Sequence, residues 1–361
     1  MKVLIVSAHS ANSNFSYNQR LLNLKEGLRQ NDVDATMLYL GKYYFKSPSL
    51  ARALNIPLIL REVEGYDFVH GGSYPASFVL GLMKNFKQFT LINDVHGCIE
   101  EARLKMGSLF DLEGYLTYFE NFITQEISVR NSDFFITCSK PLKDRLLNRG
   151  IRNSSIEVIR NGVDTELFKP RQVIPKGNEF VVTYAGAFQK WQGLENLVSA
   201  AKLIKHANVK FKIIGFRRGD KVFKERLSRL FGNRIELIDS LSQTELIDQL
   251  CLSDILIIPR QRHCATQMAF PTKFAEYIAV GKPVIVTGVD ETATFVKKYD
   301  CGFVCEPSAE SIAQTVVKAS NLSFDRLIEM GRNARNLAES QFDRRVIGKT
   351  YSEFLYRVLS P

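Results

Sequence analysis

The feature that most constrains this fold is an alternation that runs the length of the chain. Short runs rich in Val, Ile and Leu, beginning with KVLIVSA, alternate with amphipathic stretches of helical period. A run that is apolar at every position belongs to a strand buried on both faces, and such strands sit in parallel sheets covered by helices. The first series reads KVLIVSA, a helix around 16–30, DATMLYL, DFVHGG, FTLIND, an amphipathic stretch over about 99–130, and DFFITCS. It closes with the helix PLKDRLLNRG, stopped at Gly150, and the strand and Asn161-Gly162 turn of IEVIRNGVD. After the polar, Pro-bounded FKPRQVIPKGNE the series restarts: EFVVTYAG, a helix at 193–205, VKFKIIG, a helix at 220–231, RIELID, a helix at 243–251, DILIIPR, a helix at 272–280, and PVIVTG.

This predicts two doubly wound α/β domains, 1–168 and 169–339, facing one another across a cleft. Ligands of such sheets lie beyond the carboxyl ends of the strands. A length of 361 residues accommodates two domains. In SQFDRRVIGKTYSEFLYRVL, apolar Phe342, Val346, Tyr351, Phe354, Leu355 and Val358 recur at helical spacing. The expectation is that SQFDRRVIGKTYSEFLYRVL is one final helix from residue 340 on, and that 340–361 packs back on the first domain.

A composition of 45% hydrophobic and 24% charged residues excludes disordered, collagen-like and disulfide-scaffold classes. No apolar run reaches the ~18–20 residues of a membrane span. MKVLIVSA is too short for a signal-peptide core and reads as a first strand, so a cytoplasmic protein is expected. The six cysteines are scattered. Cys301 and Cys305 form a CxxxC with no second pair nearby, which favours buried free thiols over zinc. No metal site is predicted. The net charge of +10 is uneven, with 20 Lys+Arg against 18 Asp+Glu in residues 1–170 and 28 against 20 in 171–361. The second half therefore wants an anionic partner. Its basic stretch at 202–234 alternates with apolar positions, and Phe211, Phe216, Phe223 and Phe231 fall at core-like spacing, which argues against nucleic acid.

The most informative segment is FPTKFAEYIAVGKPVI, residues 270–285. Thr272 is placed to cap a helix that stops at Gly281, and Pro283 opens the next strand. The free N–H groups at the helix start, beside Lys273, suit a diphosphate. Glu276, one turn on, suits the two hydroxyls of an attached ribose. A plain surface helix with an exposed Lys and Glu satisfies the same residues.

AFPTKFAEYIAVGKPVIVT resembles the nucleotide-binding segment of GT-B glycosyltransferases of family 4. EVIRNGVDTELFKP resembles that family's interdomain strand and linker, VVTYAGAFQKWQGLENLVSAAKLI the opening of its second domain, SDILIIPR the strand before its donor loop, and DVHG its first-domain histidine loop. The resemblance implies two Rossmann-like domains and a retaining, metal-independent transfer from a UDP- or GDP-linked sugar, with no cofactor, to a saccharide or lipid-linked acceptor. It implies that Gly186, Lys190, Thr272, Lys273 and Glu276 bind the donor, and that His96, Lys273 and Arg260 act in catalysis. Met268 stands where the family's first Glu is expected, Ala187 in place of an Arg and Gln192 in place of a Lys. Lys190 and Arg260 read equally as solvated loop cations, and His96 as a structural residue.

His9 to Ser13 replace the family's Gly-rich turn and read as a polar loop. Asp94 reads as a loop anchor. Asp32-Val33-Asp34 imitates a metal-binding DxD but precedes its strand, so it reads as a turn. YPASFVLGLMKNFKQF mixes apolar and cationic residues; it suits peripheral contact with the inner membrane face, or a core helix. The competing functions are a GT-B nucleotide-sugar epimerase, which needs no acceptor, and a polyanion-binding module.

Overall fold

A computed structural model describes residues 1–11, 16–43, 59–98, 112–171, 179–204, 208–216 and 235–360, with several positions between 220 and 229. They form two compact units: Met1–Gly162 with Met268–Phe270 and Arg344–Pro361, and Val163–Gln267 with Pro271–Asp343. The expectations for 99–111, for Asn12 and Ser13, for linker residues 172–178 and for much of 217–234 lie outside the described residues.

The first unit holds β1 (Lys2–Ser7), β2 (Asp34–Tyr39), β3 (Phe68–Gly71), β4 (Leu91–Val95), β5 (Phe134–Thr137) and β6 (Ile156–Val158) in the order β2-β1-β3-β4-β5-β6. Every pairing is parallel. Successive residues of β1 enter different cores, as expected for a strand covered on both faces. Val3 and Ile5 pack with Leu21, Leu24, Leu28, Tyr351 and Phe354. Leu4 and Val6 pack with Phe78, Val79 and Met83.

The last three of those partners lie on the Tyr74–Met83 helix, capped by Ser73, whose Oγ accepts from the Ala76 N–H. The segment considered for membrane contact thus gives its apolar side chains to the core, and of its aromatic residues Phe86 is the one left mostly exposed. Asp32 has φ 60 and lies in the turn before β2.

The C-terminal helix runs Arg344–Leu359 and packs on the Ser16–Arg29 helix. Their backbones meet at two glycines: a Cβ on Gly348 would lie 2.1 Å from the Gly27 carbonyl carbon. The helix starts later than the apolar spacing predicts. Ala338–Phe342 is a π-helical turn, and Asp343 breaks to extended geometry, where its carboxylate accepts a hydrogen bond from Thr165. Phe342 is buried against Phe274 and Phe295, so residues 340–343 stay with the second unit.

The second unit holds β7 (Phe180–Ala185), β8 (Val209–Phe216), β9 (Ile235–Asp239), β10 (Ile255–Ile258), β11 (Val284–Thr287) and β12 (Gly302–Cys305). The order is β12-β11-β10-β7-β8-β9, again all parallel. Chain order reverses between β7 and β10, which are neighbours in the sheet. This is the Rossmann strand order, and the crevice at such a reversal is where ligands of open sheets bind.

All six cysteines are free, and Cys264 alone among them is not fully buried. Burial pushes the Cys301 and Cys305 thiols up to about 12. Among the described residues no group of three or more His, Cys, Asp or Glu could hold a metal ion.

Candidate functional site

The β7–β10 reversal of the second unit gathers most of the residues singled out from the sequence. Beyond β7 the chain turns at Gly186, whose φ of +144 disfavours any side chain. A Cβ there would also lie 2.7 Å from Lys273 Nζ. The turn is bare because the lysine occupies the space beside it.

Lys273 comes from the Thr272–Ala279 helix. Its Nζ donates to Tyr184 Oη (3.1 Å) and Gln192 Oε1 (3.2 Å), and lies 4.3 Å from the Tyr184 ring centroid. Tyr184 Oη in turn donates to the Ala187 carbonyl (2.7 Å). Loss of hydration and then repulsion by Arg260 lower the Lys273 ammonium to about 7, against a smaller opposing pull from Glu276. Glu276 is half-buried, and burial raises its carboxyl above the usual range, opposed by Lys273.

The start of this helix differs in detail from the expectation. Thr272 does not cap it; Pro271 is the N-cap, with backbone φ −71 and ψ 125, and Thr272 is the first helical residue. Proline offers no side-chain acceptor, so no side chain folds over the helix start. The Phe274 N–H donates to the Pro271 carbonyl (3.2 Å), leaving the N–H groups of Thr272 and Lys273 as the open donors. For an anion this is a better arrangement than a capped helix. The helix ends where predicted, with Val280 as C-cap and Gly281 at φ +71.

Arg260 follows β10 but is not a solvated loop cation. It is 4% exposed, and its Nη1 lies 2.6 Å from Asp290 Oδ2. Asp290 Oδ1 also accepts from the Thr292 N–H (2.9 Å), which fixes the carboxylate to the start of the Thr292–Tyr299 helix. The guanidinium is held in place by that carboxylate, and its charge is the second cause that lowers the Lys273 ammonium. Lys190, on the short Lys190–Gln192 turn, is exposed.

His96 belongs to the first unit, half-buried just beyond β4. Two residues earlier, Asp94 anchors a buried network. Arg20 grips it with Nε (2.8 Å) and Nη2 (2.9 Å), and His70 Nε2 lies 3.6 Å away. The Arg20 guanidinium holds the Asp94 carboxyl well below the usual carboxylate range, overcoming burial. Arg20 also donates to Asn161 Oδ1 (3.1 Å), and Asn161 Nδ2 donates to the Phe270 carbonyl (2.7 Å). Met268 is held too: its carbonyl accepts from Ser139 Oγ, and its sulfur lies 3.5 Å from Arg145 Nη1. In the polar loop after β1, the Ser10 carbonyl accepts from Asn18 Nδ2 (3.1 Å).

Sequence reasoning missed Tyr184 and Asp290. Tyr184 sits in an apolar strand where a tyrosine reads as core, and Asp290 lies 30 residues from Arg260. Nothing local in the sequence pairs them. Gln192 was visible only as a departure from the family pattern.

The architecture is that of GT-B proteins. Sucrose-phosphate synthase from Thermosynechococcus elongatus matches with a TM-score of 0.80 at 17% identity over 99% of this chain and 98% of its own. Anabaena Alr3699/HepE in complex with UDP-glucose matches with a TM-score of 0.74 at 17% identity over 99% of both chains. Residues 6–167 match the family described as Glycosyltransferase Family 4, and residues 165–337 that described as Glycosyl transferases group 1. The chain belongs to the family 4-like glycosyltransferases of GT-B fold, enzymes that transfer sugars. Its sequence is 23% identical over 76% of the chain to an uncharacterised glycosyltransferase, MJ1069 of Methanocaldococcus jannaschii, spanning 70% of that protein. It is 24% identical over 63% of the chain to the putative colanic acid biosynthesis glycosyltransferase WcaL of Escherichia coli, spanning 57% of that protein.

Proposed function

We propose that this protein transfers a sugar from a UDP- or GDP-linked donor to a hydroxyl of a saccharide or lipid-linked acceptor, in the synthesis of a polysaccharide or glycolipid. The observation that carries the reading is Lys273 Nζ lying beside the bare Gly186 turn, sent there from a helix whose first N–H groups, those of Thr272 and Lys273, are open. The diphosphate takes these donors, and Lys190 is an exposed cation near enough in sequence to the turn to join them. Glu276 takes the ribose hydroxyls; among the described residues none donates a hydrogen bond to its carboxylate. The WcaL and HepE likenesses support a polysaccharide acceptor and a nucleotide-sugar donor respectively.

The chemical task is to stabilise negative charge on the departing nucleoside diphosphate, and preorganised donors do this without reorganisation cost. In this reading the helix start and Lys273 bear that charge, Arg260 lowers the Lys273 ammonium, and the family resemblance makes His96 of the first unit a further catalytic candidate. No carboxylate nucleophile is needed if the acceptor attacks on the face the leaving group departs from, which retains the anomeric configuration. The work is placed in the cytoplasm, at the inner membrane face when the acceptor is lipid-linked.

The test is to screen UDP- and GDP-sugars for nucleoside diphosphate release, with Lys273→Ala as control. The expected loss in the variant is on the order of 10²–10³-fold in turnover. Equal rates in both proteins would remove Lys273 from the reaction.

A further inference from the structure

We infer that donor binding at the Gly186 turn takes up one proton from solvent, and that this proton resides on Lys273 Nζ. The inference rests on the donor site proposed above and deepens it. Its geometric basis is the number of acceptors around the amine. A neutral amine has two N–H bonds, and here two acceptors are in place, Tyr184 Oη and Gln192 Oε1. Tyr184 Oη can only accept from the lysine, because its own proton is committed to the Ala187 carbonyl. An ammonium has a third N–H, and among the described residues no further side chain takes it. A diphosphate oxygen beside Gly186 supplies the missing acceptor and the compensating negative charge.

The charged groups facing Lys273 agree. From beyond β10 comes the Arg260 guanidinium, which repels the ammonium and whose own counter-charge, Asp290, is committed to it. From β7 comes Tyr184, whose phenol burial keeps neutral. From its own helix come Glu276, which favours the ammonium, and Tyr277, whose Oη is engaged with the Ala185 backbone (2.7 and 3.1 Å). Burial and these neighbours thus hold the lysine near the midpoint of titration at neutral pH, at about 7. Adding two phosphate charges shifts it fully to the ammonium.

The consequence is an affinity that falls as pH rises above neutrality. With this free-site value, binding of a fully ionised diphosphate should weaken by roughly tenfold or more between about pH 7 and 8.5. UDP-glucose and GDP-mannose suit as probes, because their diphosphates carry no group that titrates there. Calorimetry in two buffers of different ionisation enthalpy, at about pH 8, reads the proton number directly. The expected result is uptake of close to one proton by the wild type, and none by Lys273→Met, which binds more weakly but with a flat pH profile. Tight binding of either probe without uptake, or uptake that persists in Lys273→Met, overturns the inference and leaves the donor site standing. Failure of both probes and of free UDP and GDP to bind the folded protein overturns the donor site itself, and the inference with it.

Discussion

At the residue scale, Lys273 and Glu276 are both driven toward neutrality by burial and toward charge by each other. Such mutual opposition marks a candidate functional site. It has a cost in stability, with a sign that can be worked out. Unfolded, Lys273 titrates at its ordinary 10.5; folded, at about 7. Between these values the unfolded chain binds more protons, so stability rises with pH across that window, and the penalty is largest at and below about pH 7. Lys273→Met should therefore raise Tm most near pH 6, with a gain that shrinks toward pH 10. A gain that does not change with pH would mean that Lys273 is not desolvated.

Glu276→Ala should weaken UDP or GDP binding by about 10–100-fold, the scale of hydrogen bonds to a charged group. It should leave binding of the 2′,3′-dideoxyribose analogues unchanged. Equal losses for both ligands would take the carboxylate away from the ribose. Lys273 and Glu276 stand out together in the sequence because residues three apart on one helix share a face, but spacing alone fits a plain surface helix equally and the family resemblance gives them their roles. The groups that tune them were not. Arg260 with Asp290, and Arg20 with Asp94 across 74 residues, are pairings made only by the folded sheet.

At the scale of elements, the strands were the most legible part of the chain. A parallel strand covered on both faces must be apolar at every position, and this leaves a run that no exposed helix imitates. Ends were harder to read. Thr272 has the chemistry of a cap, yet Pro271 before it already has extended geometry and takes the position. The start of the C-terminal helix was misplaced because Phe342 is apolar for a different core, that of Phe274 and Phe295.

That C-terminal helix depends on backbone contact rather than on its apolar stripe alone. Gly348→Val puts a branched side chain where the Gly27 backbone stands. The expected cost is at least the ~1–3 kcal/mol of an overpacked core, read as a lower urea midpoint. An unchanged midpoint would show that the two helices separate without loss.

At the scale of the whole molecule, the charge asymmetry and the site agree. The excess of cations falls in residues 171–361, the half that carries Lys190, Arg260 and Lys273. No charged cluster suited to a metal is found among the described residues, and the single DxD lies in the turn before β2. In the proposed reading the leaving group is stabilised by the open N–H groups of Thr272 and Lys273 and by the Lys273 side chain. Asp32→Ala should leave turnover within about twofold of the wild type, because Asp32 is an exposed residue of the turn before β2; its φ of 60 makes any cost of the substitution one of stability.

The most direct test is sugar transfer measured in excess EDTA, from the UDP- or GDP-sugar that the screen identifies, by wild type and by Lys273→Met. The account predicts that chelation leaves the wild-type rate intact and that Lys273→Met loses it on the order of 10²–10³-fold. Activity abolished by EDTA and restored by manganese or magnesium, with Lys273→Met as active as the wild type, would contradict it.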